Sequence, residues 1–210
     1  MSSRDQILAR IRTAVGDTSD ADVDAAYRDL PRHYLRAHHD QDIVALFAER
    51  AADYRAVVER LPGTDVPAAV ARVLAARDPG AQFALPEGFP PEWIPDGIAF
   101  TRDEPPLSAA RLDRLAGVVT GCAVAIAETG TIVLDHGPAQ GRRALTLVPD
   151  FHLVIVRADQ VAADLPDAFG RLDPGRPQTL ISGPSATSDI ELIRVEGVHG
   201  PRTLHVLLAG

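Results

Sequence analysis

The sequence predicts an α/β fold with a largely buried sheet, preceded by an N-terminal helical arm. Strand-like apolar runs alternate with helix-like segments in the second half of the chain, which is typical of α/β domains. One run, residues 151–156, is apolar enough for a strand covered on both faces. Two segments before residue 62 have the spacing of amphipathic helices. We therefore divide the chain into an arm, residues 1–61, and an α/β domain, residues 62–210.

Composition excludes several classes of function. The formal net charge of −8 argues against a nucleic-acid or polyanion binder. All 21 basic residues are arginine, which rules out Schiff-base chemistry and a P-loop lysine. The single cysteine, Cys122, cannot supply the four thiolates of an iron–sulfur cluster, so we expect no cofactor of that kind in this chain. With no signal-peptide core and no membrane-length apolar run, we expect a cytoplasmic protein.

The arm contains two predicted helices. The first, residues 3–15, opens with the capping box Ser3-Arg-Asp-Gln6 and ends at Gly16. Residues 17–39 are predicted to be irregular, and a second helix is predicted over 40–61. We expect the arm to pack on the α/β body or on another copy of the chain, so a homo-oligomer stays open.

The arm also holds a histidine cluster without metal-site spacing. His33, His38, His39 and Asp40 lack the i,i+4 pattern that places two ligands on one helix face. We therefore predict no metal site.

The elements of the domain follow in order. Residues 66–77 are predicted as a helix, 82–85 as a strand, 79–106 as short elements and turns, and 108–115 as a helix. Apolar strands over 123–127 and 131–134 flank Glu128-Thr129-Gly130, which is a hairpin signal. The strand over 151–156, a helix over 160–172, and strands over 179–181 and 203–208 complete the domain.

The stretch from 182 to 202 has the polar side chains and turns of a binding site. Ser182-Gly183-Pro184 ends a strand, and Ser185, Thr187, Ser188 and Asp189 follow. The capping box formed by Ser188 and Glu191 predicts a short helix, whose free N–H groups suit a carboxylate or phosphate. A second turn adds His199, Gly200 and Arg202. The alternative is an ordinary cap and an ordinary Gly-Pro turn.

Four further side chains have both a functional and a structural interpretation. Glu128, at a strand end, is either a general acid/base or a solvated turn residue. Arg142 and Arg143 either clamp a carboxylate together or lie in a solvated loop. His152, inside an apolar strand, is interpreted as a core histidine.

Four segments, VVTGCAVAIAETGTIVL, ALTLVPDFHLVIV, ISGPSATSDIE and GVHGPRTLHV, occur in this order from about residue 107 to the C-terminus. Together they resemble the lactate-utilisation (LUD) domain family, and within it most closely the lactate-utilisation protein C group. The resemblance covers nearly half the chain and is looser through residues 1–106.

The resemblance implies a three-layer α/β/α fold with a mostly parallel central sheet, similar to the sugar-isomerase and CoA-transferase superfamily. It implies a role in oxidising L-lactate to pyruvate beside iron–sulfur-type partner proteins, which would hold the clusters. Carried over by position, it implies these pocket residues: Glu128, Thr129, Gly130, Thr131, Ser182, Gly183, Ser185, Asp189, Glu191, His199, Gly200 and Arg202. One departure is Ala186, where many relatives have arginine. If that arginine binds an anion in the relatives, either the ligand differs here or another arginine replaces it: Arg142, Arg143 or Arg202.

Three hypotheses follow. The leading one is a subunit of a lactate-oxidising system that supplies a small-anion pocket. The chain could instead be an independent enzyme on a phosphorylated or CoA-linked substrate, with Glu128 as acid/base, or a non-catalytic scaffold for iron–sulfur partners. If strands 123–127 and 179–181 are parallel neighbours, we expect Glu128 and Ser185 to line one cleft, with His199 within reach as a proton carrier. The hairpin at Thr129-Gly130 could instead turn Glu128 outward.

Overall fold

A computed structural model describes residues 2–16, 19–32, 42–77, 80–187, 195–197 and 199–210, without the side chains of Thr187, Val195 and Glu196. The chain divides into two compact units, Met1–Leu35 and Arg36–Gly210. The boundary therefore precedes the one predicted at residue 61. None of the described helices is long and apolar enough to cross a membrane.

The first unit contains two helices, α1 (Ser3–Val15) and α2 (Asp20–Arg28). The prediction of α1 is confirmed, but its capping box is formed by Ser2 and Asp5, one residue earlier than expected. Helix α2 lies in the segment predicted to be irregular. Its capping box, Ser19 with Asp22, fixes its start, while its acidic composition hides the helical period.

The second unit begins with helix α3, and its described elements run to the C-terminus. The helices are α3 (Ile43–Asp53), α4 (Val66–Arg77), α5 (Ala109–Leu112) and α6 (Leu165–Gly170), with 3₁₀ turns at Gly63–Asp65, Pro91–Trp93, Arg143–Thr146 and Ala158–Gln160. The strands are β1 (Val57–Leu61), β2 (Gln82–Leu85), β3 (Ala99–Arg102), β4 (Gly117–Thr120), β5 (Val124–Ile126), β6 (Thr131–Leu134), β7 (Phe151–Arg157), β8 (Val161–Ala162), β9 (Thr179–Ile181), β10 (Ala186–Thr187), β11 (Val195–Glu196) and β12 (Thr203–Ala209).

A six-stranded parallel sheet forms the centre of the second unit, in the order β1-β12-β7-β4-β2-β3. Strand β7 is buried on both faces over residues 151–156, as its apolar sequence predicts. Leu153 and Ile155 pack in a core with α4, and Val154 and Val156 pack in a core with α3. The predicted α/β fold with a mostly parallel central sheet is therefore confirmed.

A second, four-stranded sheet was not predicted. Its order is β8-β5-β6-β9; β6 pairs antiparallel with both β5 and β9, and β5 pairs parallel with β8. Ala125, Ile132 and Leu134 of this sheet share a core with Val154 and Val206 of the central sheet. One face of the central sheet is thus covered by α3 together with a sheet, where the three-layer expectation had helices alone.

Three predicted helices differ from those observed. The helix expected over 40–61 ends at Asp53, and β1 follows, because the β-branched Val57 and Val58 pair with β12 in the central sheet. The helix expected over 108–115 is the single turn α5. In place of the helix expected over 160–172, the structure has the end of the 3₁₀ turn Ala158–Gln160, followed by β8 and then α6. The helix expected from Ser188 lies outside the described residues.

Candidate functional site

The turn 128–130, which follows β5, and the turn that begins at Ser182, which follows β9, meet at one end of the four-stranded sheet. Because β5 and β9 both run antiparallel to β6, their carboxyl ends lie at the same end, beside Thr131. The Thr131 hydroxyl oxygen lies 2.8 Å from that of Ser182 and 2.7 Å from that of Thr129. The two motifs therefore meet, but the expected parallel neighbourhood of their strands was wrong, since β6 lies between them.

Both turns also pack closely against the C-terminal end of helix α3. This close approach requires a glycine in each turn. Gly130 has φ +60° and Gly183 has φ +81°, a region that favours glycine. A Cβ atom at Gly130 would lie 2.5 Å from the backbone nitrogen of Ala51. A Cβ atom at Gly183 would lie 2.3 Å from the carbonyl oxygen of Tyr54. These glycines therefore hold the two turns at fixed positions against the helix.

A cleft of about 290 Å³ lies beside the second turn. It is bounded by β9, by the turns 182–186 and 199–201, and by the 3₁₀ turn Arg143–Thr146. Its inner wall includes His152 and Leu204, which are paired near the amino ends of β7 and β12. The carboxyl end of β9 and the amino ends of two central strands thus border the same space.

Ser185 ties the two turns of the cleft together. Its backbone N–H donates to the carbonyl of Pro201 at 2.9 Å, and its carbonyl accepts from the N–H of Gly197 at 2.9 Å. Its hydroxyl oxygen accepts from the backbone N–H of His199 at 3.2 Å. This network places His199, which is exposed to solvent, in the cleft lining.

Of the three arginines expected to bind an anion, one lines the cleft and two do not. Arg143 lines the cleft. Arg142 donates instead to both carboxylate oxygens of Asp103, at 2.7 and 3.0 Å, and to the carbonyl of Leu107, so the joint clamp of Arg142 and Arg143 was wrong. The Asp103 carboxylate raises the pKa of Arg142. Arg202 lies 3.5 Å from a carboxylate oxygen of Asp150 and is absent from the cleft lining.

Glu128 does not share the cleft with Ser185. It is exposed, and its backbone N–H donates to the carbonyl of Ala163 at 3.1 Å. The cleft lining does not include it, so the expectation of one cleft lined by Glu128 and Ser185 was wrong. Of the other predicted residues, Gly200 lines the cleft, Thr187 is described only in its backbone, and Ser188, Asp189 and Glu191 lie outside the described residues.

Sequence reasoning missed a buried polar pair in the cleft wall. His152 is indeed buried, with 1% of its surface exposed, but the residue also belongs to the cleft lining. Its Nε2 atom lies 2.8 Å from the hydroxyl of Thr120, which is also buried. Burial lowers the pKa of His152 to about 4, so the ring is neutral at physiological pH. The available signal was the coincidence of two polar residues in otherwise apolar strands.

A larger cavity of about 500 Å³ lies elsewhere in the second unit. Its two arginines and its histidine are bound to other parts of the chain. Arg142 pairs with Asp103, Arg176 lies 3.3 Å from a carboxylate oxygen of Asp135, and both ring nitrogens of His136 have partners at 2.9 Å.

The described residues offer little to a metal or cluster. They contain no group of three His, Cys, Asp or Glu residues that could hold a metal ion. Cys122 is buried, which raises the pKa of its thiol to about 12 and disfavours the thiolate that a metal needs. His33, His38, His39 and Asp40 lie outside the described residues.

Comparison with known proteins gives four consistent matches. The LUD domain family matches residues 110–209. Lactate utilization protein C of Deinococcus radiodurans is 48% identical over 173 residues, covering 80% of this chain and 80% of that protein. Lactate utilization protein C of Geobacillus kaustophilus is 32% identical over 142 residues, covering 61% and 58%. The crystal structure of a DUF162 family protein from Deinococcus radiodurans matches with a TM-score of 0.69 and 42% identity, covering 80% of this chain and 97% of that one.

Proposed function

As the chain belongs to the LUD domain family, we propose that it serves lactate utilization by binding a small carboxylate in the cleft beside Ser185 and His199. Relatives named lactate utilization protein C support the lactate part of this proposal. The carboxylate part rests on Arg143. Within the described part of the chain, its guanidinium has no ion-pair partner, although it lines a cleft that also holds four hydroxyl-bearing residues.

The cleft suits a ligand of a few heavy atoms. Its volume of about 290 Å³ is at the small end of the range for small-molecule sites, which is roughly 300–1,000 Å³. Arginine binds a carboxylate through two parallel N–H···O bonds, which fixes the orientation of the ligand as well as attracting it. Lactate and pyruvate both have this group.

In this proposal the chain acts as a cytoplasmic subunit and leaves the electrons to its partners. Oxidising lactate to pyruvate removes two electrons and two protons. Iron–sulfur partner proteins would accept the electrons, because the one buried thiol of this chain does not fit a cluster. His199, at the exposed side of the cleft, would exchange a proton with solvent.

Binding experiments test the carboxylate site. The purified chain is titrated with L-lactate, pyruvate and glycerol 3-phosphate, by thermal shift and by calorimetry. A carboxylate at a hundred times its Kd should stabilise the fold by about 2.7 kcal/mol. Arg143→Gln should weaken carboxylate binding about tenfold or more, because a hydrogen bond to a charged group contributes about 1.5–3 kcal/mol.

Arg114→Gln is the matched control. Arg114 is exposed and lies outside the cleft lining, so its replacement should leave the Kd unchanged. Binding of the phosphate ester alone would favour an independent enzyme on phosphorylated substrates. Binding of none of the three would favour the scaffold hypothesis.

A further inference from the structure

The cleft wall contains a histidine with one ring nitrogen that has no hydrogen-bond partner among the described residues. His152 is 1% exposed, and its Nε2 atom is bound to the Thr120 hydroxyl at 2.8 Å. In the part of the chain that the structure describes, its Nδ1 atom has no hydrogen-bond partner. A buried polar atom without a partner is uncommon in folded proteins and indicates a ligand or an ordered water. The position of His152 in the cleft lining gives such a ligand access.

The Thr120 hydroxyl decides which ring nitrogen bears the proton. This hydroxyl is fully buried, and among the described residues Nε2 of His152 is its one hydrogen-bond partner. Either tautomer leaves one donor unpaired within the chain: Nδ1–H if the hydroxyl donates to Nε2, or the hydroxyl itself if Nε2–H donates. His152 is in the cleft lining and Thr120 is not, so a ligand can pair the first of these donors but not the second. A bound ligand therefore favours the hydroxyl as donor to Nε2 and the proton of the neutral ring on Nδ1. Thr120 acts as a positioning residue that turns Nδ1 into a donor.

This donor is uncharged over the physiological range. Burial lowers the pKa of His152 to about 4, so the ring stays neutral and its Nδ1–H offers a hydrogen bond without attracting a second anion. Arg143, in the same lining, supplies the charge. The cleft thus has one cationic donor and one neutral donor.

We propose that the Nδ1–H of His152 binds the oxygen on carbon 2 of a 2-oxo or 2-hydroxy carboxylate whose carboxylate group binds Arg143. The inference rests on the proposed function and names its ligand class more closely. A carboxylate without the second oxygen leaves the buried N–H unpaired, and sites built around a hydrogen bond reject analogues that lack the matching group. His152 is then the residue that separates pyruvate and lactate from simple fatty acids.

Pyruvate and propionate test this, since they differ at carbon 2 and share the carboxylate. The wild-type chain should bind pyruvate about tenfold or more tightly than propionate, a difference of about 1.4 kcal/mol. His152→Gln should reduce this ratio to about one, because its amide nitrogen lies as many bonds from Cβ as Nε2 does. His152→Asn should keep part of the preference, because its amide nitrogen corresponds to Nδ1.

A second pair of variants and a spectrum keep the test independent of folding at position 152. Thr120→Val should weaken the preference, because Nε2 loses its donor and can take the proton, while Thr120→Ser should retain it. Nitrogen-15 NMR of the pyruvate-saturated chain should show the proton of His152 on Nδ1. A proton on Nε2, or equal ratios in His152→Gln and wild type, would overturn the inference.

The outcomes separate this inference from the proposed function. If wild type binds pyruvate and propionate equally, and Arg143→Gln weakens both, the carboxylate site stands and the role of His152 is wrong. If wild type binds neither, the proposed function is wrong, and so is this inference, because it rests on that function.

Discussion

Two cavities of the second unit differ in what their basic side chains are bound to. The larger one, about 500 Å³, is lined by Arg142, His136 and Arg176, and each of these is bound to another part of the chain. The smaller one, about 290 Å³, is lined by Arg143 and His152. Within the described residues, the guanidinium of Arg143 and Nδ1 of His152 have no partner. Unmet hydrogen-bonding capacity therefore identifies the candidate site, and volume does not.

Arg142 and Arg143 show the same contrast between chain neighbours. Arg142 is held by Asp103, whose side chain is only 6% exposed, and so has a structural role. Arg143 begins the adjacent 3₁₀ turn and faces the smaller cavity. One residue type, in adjacent positions, thus serves the fold in one case and is left for a ligand in the other.

The largest expected effect is the loss of folding stability at low pH that the buried His152 causes. Its pKa is about 4 in the folded chain against a usual value of 6.5, so between these pH values the unfolded chain binds more protons. The contribution of the neutral His152 ring to the free energy of unfolding is therefore fully present above pH 6.5. It is lost as the pH falls toward 4, by about 3 kcal/mol in total. Urea unfolding of wild type and His152→Gln at pH 7.5, 6, 5 and 4.5 measures this loss.

The variant supplies the control for other titrating groups. Burial also lowers the pKa of His205, but that residue is present in both proteins and cancels in the difference. The stability of wild type relative to His152→Gln should fall steadily from pH 6.5 downward. A constant difference would mean that the cleft wall is wet enough to protonate His152, which would weaken the contrast between the cavities.

A smaller effect should separate the neighbouring arginines. Arg142→Ala leaves the Asp103 carboxylate without its cation in a buried position. Removing one partner of a buried pair costs about 3–5 kcal/mol, and since 39% of the Arg142 side chain is exposed, we expect about 2 kcal/mol. Arg143→Ala should change the free energy of unfolding by less than about 0.5 kcal/mol. Equal losses in urea unfolding would show that Arg143 is also structural.

The sequence predicted those parts of the fold that local patterns specify. Helix α4 and strands β2, β6 and β12 agree with their predicted ranges within a residue, because their apolar patterns and turn residues are contained in each segment. The four-stranded sheet escaped prediction because its pairings are distant. Strand β6 meets β9 almost 50 residues later, and nothing in either segment specifies that partner.

The candidate site was predictable to the same extent. Ser182, Ser185 and His199 stand out as polar residues beside turns, and all three line the cleft. The separation of Arg142 from Arg143 depends on Asp103, 39 residues earlier, and the Thr120–His152 contact spans 32 residues. The second pair follows from the register of β4 and β7 in the central sheet, and the first joins two loops. Neither can be inferred from spacing along the chain.

The smallest expected effect concerns the hydroxyl contact that joins the two turns. The hydroxyl oxygens of Thr131, the first residue of β6, and Ser182, which follows β9, are 2.8 Å apart. Thr131→Val keeps the side-chain shape and removes its bonds to Thr129 and Ser182, so we expect a loss of about 1 kcal/mol. Ser182 is exposed, and Ser182→Ala should cost about half as much, because water can replace its partner. The double variant should lose less than the sum of the single losses, with a coupling of about 0.5 kcal/mol or more by urea unfolding. Strict additivity would mean that the contact does not hold the turns together, and the rim of the smaller cavity would then owe its shape to Gly130 and Gly183 against α3.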